Sequence, residues 1–108
     1  MKEHYLLNLY GCPEQLLDNE FFLCDMIENA AEACGATVIE TISHHFKPQG
    51  VTAISLLAES HISIHTWPEK GEASVDVFTC GDCIPKIACD IIVEQVKCTT
   101  HELELVER

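Results

Sequence analysis

From Ser60 to Thr66 the chain alternates without a break, with Ile62 and Ile64 in one set and His61, Ser63 and His65 in the other. A period of two separates polar from apolar residues only in extended backbone, so this is a strand with one face on a core. Glu72 to Thr79 repeats the pattern, setting Ala73, Val75 and Val77 against Ser74, Asp76 and Phe78. The five residues between, Trp67-Pro68-Glu69-Lys70-Gly71, are too few for a crossover, so the two strands form an antiparallel hairpin. Such a hairpin returns Cys80 to the neighbourhood of Ser60. It carries a dense group of reactive side chains, with Glu59, Ser60, His61, Ser63, His65 and Trp67 inside nine residues.

The remaining elements build around that hairpin. His4 to Tyr10 is a short apolar strand ended by Gly11. Asp18 and Asn19 are cap residues for a helix whose apolar positions Leu23, Met26, Ile27, Ala30 and Cys34 recur at helical spacing until Gly35 stops it. Ala36 to His44 is rich in β-branched residues and reads as a strand, His45 to Gly50 as a loop and Val51 to Leu57 as a further strand. Asp82 is placed to cap a second helix with Pro85 in its first turn and Ile84, Ile87, Ala88 and Ile91 on its apolar side, running to about Lys97. Thr99 to Val106 is a last, acidic, edge-like strand. The order β, α, β, β, β, β, α, β predicts an α+β fold, a two-layer sandwich of a mostly antiparallel sheet with two helices on one face.

A chain of 108 residues forms one domain, residues 1–108, around one modest core. Any small-molecule site is then shallow, or is completed by a second copy of the chain. Six basic against eighteen acidic residues give a net charge of -12, which repels phosphate backbones and anionic lipid. Neither nucleic acid nor a membrane is an expected partner. No amino-terminal apolar segment with a basic flank precedes the seven cysteines, so the expected compartment is the reducing cytoplasm. There Cys12, Cys24, Cys34, Cys89 and Cys98 read as small apolar core residues.

Several chemistries compete for the reactive residues. Cys80-Gly81-Asp82-Cys83 has the spacing of a redox or metal pair, but a structural zinc needs two more ligands and no second such pair exists. His61 and His65 stand about 13 Å apart on a strand, too far to share a metal, so no metal is assigned. Ser60 lacks the surroundings of a GxSxG elbow, which removes the usual hydrolase reading. A serine can instead attack the peptide carbonyl immediately before it, given a strained turn and a group to stabilise the oxyanion.

Ala58-Glu59-Ser60-His61-Ile62-Ser63-Ile64-His65-Thr66-Trp67-Pro68-Glu69 and Val75-Asp76-Val77-Phe78-Thr79-Cys80-Gly81-Asp82 closely resemble the prokaryotic S-adenosylmethionine decarboxylase proenzymes. The resemblance extends to Leu9-Tyr10-Gly11-Cys12, Ala33-Cys34-Gly35-Ala36-Thr37-Val38 and Phe46-Lys47-Pro48-Gln49-Gly50-Val51, nearly the whole chain. It implies a self-processing, pyruvoyl-dependent decarboxylase that converts S-adenosylmethionine to its decarboxylated form for spermidine synthesis. The Glu59-Ser60 bond would be cut by the chain itself into residues 1–59 and 60–108, leaving a pyruvoyl group made from Ser60. A ketone of this kind condenses with the substrate amine and accepts the electrons left when carbon dioxide departs, as pyridoxal phosphate otherwise does.

The resemblance also implies roles. His65 matches the histidine associated with processing, as proton acceptor, and Cys80 the cysteine that donates a proton to the decarboxylated carbon. On this reading the hairpin brings both round to Ser60. Phe46, Trp67 and Glu69 match positions that hold the nucleoside, the rings by stacking and the carboxylate at the ribose. The family is dimeric, so a homodimer with sites between protomers is expected. Two departures stand out: Thr52 replaces a common serine and retains its hydroxyl for processing or positioning, and Lys70 and Glu72 flank Gly71 where an aromatic is frequent. A pyruvoyl-dependent decarboxylase of ornithine or arginine, and a non-catalytic nucleoside-binding homologue, are the alternative readings.

Overall fold

A computed structural model describes residues 2–108. Six strands form one sheet: β1 (Glu3–Tyr10), β2 (Val38–His45), β3 (Val51–Leu57), β4 (Ser60–Trp67), β5 (Glu72–Thr79) and β6 (Thr100–Glu107). Their spatial order is β2-β3-β4-β5-β1-β6, with every neighbouring pair antiparallel. Helices α2 (Glu20–Ala33) and α3 (Pro85–Gln95) cover one face, so the expected α+β sandwich is the observed one. A one-turn helix, α1 (Glu14–Leu17), adds a third helical element where the sequence signalled only a break after Pro13.

The core lies between the sheet and the two long helices. Leu7, Leu9, Val51, Ile62, Ile64 and Val77 from the strands meet Leu23, Met26, Ile27 and Ile92 from the helices, all essentially without solvent exposure. Each such side chain contributes roughly 1.5–3 kcal/mol through removal from water, which fixes which face of every strand turns inward. Cys12, Cys34 and Cys89 are buried as expected, whereas Cys24 and Cys98 are only partly covered and pack on the rim of the core.

Local signals explain most boundaries. The Asn19 side chain accepts from the Phe22 amide at 2.9 Å and caps α2, which ends at Cys34 before Gly35 with its φ of 97°. The expected cap at Asp82 does not form. Ile84 occupies that position, because its amide donates to the Cys34 carbonyl at 2.9 Å and ties the chain down there, so α3 starts at Pro85. Asp82 is left in an exposed turn. Among the described residues no helix is long and apolar enough to cross a membrane.

Candidate active site

Because the helices occupy one face, the other carries the outward set of every strand. From β4 these are His61, Ser63 and His65, directly opposite Phe78, Asp76 and Ser74 of β5. Reactive side chains therefore gather on the helix-free face, in two groups at opposite ends of β4.

The first group surrounds the Glu59-Ser60 bond. β3 and β4 are joined by a two-residue turn, Ala58-Glu59, with Leu57 paired to Ser60. The turn is pinned at both residues: the Ala58 amide donates to the Thr37 carbonyl at 2.9 Å, and Glu59 Oε1 accepts from the Thr37 amide at 3.0 Å. Ser60 leaves the turn with a φ of 147°, a conformation that residues with a Cβ rarely adopt and that costs on the order of 1–3 kcal/mol. The β4-β5 hairpin returns Cys80 as expected, and its thiol donates to the Glu59 carbonyl oxygen at 3.1 Å. A cavity of about 390 Å³ opens here, lined by Glu59, Ser60, His61, Phe78 and Cys80 with Lys2 at its edge.

Next along the face lies a polar cluster that sequence reasoning did not single out. Asp76 Oδ2 accepts from His61 Nε2 at 3.0 Å and from His4 Nε2 at 2.9 Å, while Ser63 donates to its other oxygen. Burial would raise the pKa of this carboxyl, but the hydrogen bonds from Ser63, His61 and His4 outweigh it and hold the group below its ordinary value. The alternation had already placed Asp76 on the wet side of its strand. The hairpin register, which pairs Ser63 with Asp76, was the signal for the contact.

The second group lies at the far end of β4. Phe46, Thr52, His65, Trp67 and Glu69 line a cavity of about 290 Å³. His65 Nδ1 is 3.0 Å from Thr52 Oγ1, a contact that places the threonine hydroxyl on the imidazole. Gln49 Nε2 donates to Glu69 Oε1 at 3.3 Å. Phe46 and Trp67 expose 47% and 41% of their surface, which leaves both rings open to a planar ligand. Gly50 has a φ of 106° and closes the loop through its carbonyl, which accepts from the Phe46 amide at 2.7 Å, while Asp18 holds both the Gly50 amide and His45.

The expected set is thus divided. Cys80 meets Glu59-Ser60, and Phe46, Thr52, His65, Trp67 and Glu69 meet one another. The expectation that the hairpin carries His65 to Ser60 is corrected, because five strand residues separate them by roughly 16 Å. An extended chain cannot fold its own end back within one strand.

The family model described as S-adenosylmethionine decarboxylase matches residues 3–108 of the chain. An S-adenosylmethionine decarboxylase proenzyme of a Synechococcus species is 53% identical over 102 residues, 94% of this chain and 80% of that protein. A proenzyme of the same description from Methanococcus vannielii is 54% identical over 91 residues, 79% of this chain and 75% of that one. Among solved structures, the crystal structure of the adenosylmethionine decarboxylase from Aquifex aeolicus superposes with a TM-score of 0.94 at 38% identity, over 100% of this chain and 90% of its own.

Proposed function

The chain belongs to the S-adenosylmethionine decarboxylase family and removes carbon dioxide from S-adenosylmethionine, and on that premise we propose that it first cuts its own Glu59-Ser60 bond to make the ketone this reaction needs. The observation that carries the proposal is the thiol of Cys80, 3.1 Å from the Glu59 carbonyl oxygen, beside a serine with a φ of 147°. Attack by the Ser60 hydroxyl on the Glu59 carbonyl carbon turns the amide into an ester and puts negative charge on that oxygen. A donor already aimed at it stabilises the charge without reorganisation. Elimination across Ser60 releases residues 1–59 with a terminal carboxylate, and the resulting dehydroalanine tautomerises to an imine that water hydrolyses to a pyruvoyl group at position 60, with loss of ammonia.

The residues present suit that group. Such a ketone supplies the electron sink for decarboxylation. Cys80 is exposed to the same cavity and holds the proton that replaces the lost carboxyl. Phe46 and Trp67 offer faces for the adenine, and Glu69 an acceptor for ribose hydroxyls. Because these stand at the other end of β4, a homodimer completes each site, the nucleoside pocket of one protomer facing the pyruvoyl end of its partner. His65, held by Thr52, arrives at the scissile serine by the same route as the processing base for the elimination. The reducing cytoplasm, which keeps Cys80 a thiol, is the matching compartment.

Mass spectrometry of the denatured protein tests the cleavage. We expect two chains, 1–59 and 60–108, the second beginning with a pyruvoyl group, and release of carbon dioxide from S-adenosylmethionine but not from ornithine or arginine. A single intact chain after prolonged incubation would sink the proposal.

A further inference from the structure

His61 follows the scissile serine and lines the same cavity as Glu59, Ser60 and Cys80. Its Nε2 lies 3.0 Å from Asp76 Oδ2, and Asp76, held below its ordinary pKa by Ser63, His61 and His4 against the effect of burial, is an anion at neutral pH that only accepts. His61 therefore donates from Nε2. With that proton on Nε2, the acceptor position of the imidazole is Nδ1, which has no hydrogen-bond partner among the described residues.

His4 makes the same kind of contact. The Arg108 guanidinium, 3.4 Å from His4 Nδ1, only donates, so His4 Nδ1 is the acceptor and its Nε2 carries the proton to Asp76. By distance alone His4, His61 and Asp76 would hold a cation. By tautomer they are a carboxylate between two N–H donors, and the one free imidazole lone pair of the group belongs to His61, the residue after Ser60. His65 does not compete within the protomer, since it lies at the far end of the strand with Nδ1 against Thr52.

We propose that His61 is the base that takes the Ser60 hydroxyl proton in self-cleavage, and that Asp76 is the positioning residue that aims it. The inference rests on the reading that Glu59-Ser60 is the bond cut. As Ser60 Oγ bonds to the Glu59 carbonyl carbon, its proton passes to His61 Nδ1. As the carbon-nitrogen bond of the tetrahedral species breaks, that proton passes to the departing Ser60 nitrogen, which leaves as an amine. No oxidant or metal enters the balance. His61 Nδ1 returns to its starting state, and the later elimination is a separate step with its own base.

The test follows the cleavage of freshly synthesised chains by denaturing mass spectrometry. His61→Gln keeps an N–H for Asp76 but lacks the imidazole base, and it should fold with an unchanged circular dichroism spectrum while cleaving at least about 100-fold slower, the usual share of a general base. His61→Ala should be equally slow, and imidazole added in solution should restore at least about a tenfold gain. Asp76→Asn should slow the wild-type sequence by about 10- to 100-fold, the scale of losing a residue that orients another. It should leave the imidazole-rescued rate of His61→Ala unchanged, because free imidazole does not depend on the carboxylate's aim. Cleavage of His61→Gln at the wild-type rate, or a slow His61→Ala that imidazole does not accelerate, would overturn the base assignment. A fall in the rescued rate would remove the positioning role of Asp76. An uncleaved wild-type chain would instead overturn the underlying reading.

Discussion

Burial decides what each of the seven cysteines can do. Cys89 is 1% exposed and burial pushes its thiol up to about 12, and burial pushes Cys12 up to about 11, so neither forms thiolate at physiological pH. Cys80 is the exposed one and donates to the Glu59 carbonyl oxygen. Brief treatment with iodoacetamide at about pH 8 should label Cys80 first and leave Cys12 and Cys89 untouched until the protein unfolds. Peptide mapping checks the order, and the loss of decarboxylation should track the Cys80 adduct. Asp76 supplies a pH dependence at the same scale. Its folded pKa is lowered, so its stabilisation is complete above the unfolded carboxyl value near 3.9 and is lost as pH falls through the folded value. Thermal unfolding of wild type and Asp76→Asn should therefore differ at pH 7 and converge well below pH 4. A gap that stays constant into that range would show that the carboxyl titrates alike in both states.

Strand alternation made the elements legible, and contacts between distant segments set what it missed. Val51–Leu57 and Glu72–Thr79 lie where the apolar period placed them, because burial of one strand face leaves a single register. The start of α3 was not legible, since it depends on a bond from Ile84 to Cys34, some fifty residues back, that no local propensity reports. The hairpin at the centre of the site turns through Pro68–Lys70 and closes at Gly71, whose φ is 66°. A Cβ there would lie 3.2 Å from the Cys12 carbonyl oxygen, beside a backbone bond from the Cys12 amide to the Gly71 carbonyl. Gly71→Ala adds about 1–2 kcal/mol of left-handed strain, and at roughly 4–8 °C per kcal/mol it should lower the melting temperature by about 5–15 °C. Cleavage at Glu59-Ser60 should persist, because the β4-β5 register from Trp67-Glu72 to His61-Phe78 is held by seven pairs and Cys80 keeps its place. Calorimetry and mass spectrometry on one sample check both halves, and a variant that melts normally or stops cleaving counts against this account of the turn.

At the scale of the whole molecule the sequence suggested a set of site residues but not how they meet. Ser60 and Cys80 stand at one end of β4 and His65, Trp67 and Glu69 at the other, on a helix-free face that also exposes Leu6, Ile42 and Leu56. In the proposed homodimer, a face-to-face arrangement whose twofold axis lies between the sheets and across the strands would cover those apolar side chains. It would also set the Ser60 end of one β4 against the Trp67 end of its partner, since an isologous interface pairs each patch with its complement twice. Two variants test this directly. Cys80→Ala damages only the Ser60 end, and Glu69→Ala only the nucleoside end. Each alone spoils both sites of its homodimer. In a heterodimer both defects fall in one site and the other is whole. Subunits mixed equally and allowed to exchange should form heterodimers in about half of the dimers, each with one intact site, and so regain about a quarter of the wild-type activity. If each site were built within one protomer, every site in the mixture would carry one defect and mixing would restore nothing, so the assay distinguishes a shared site from two private ones.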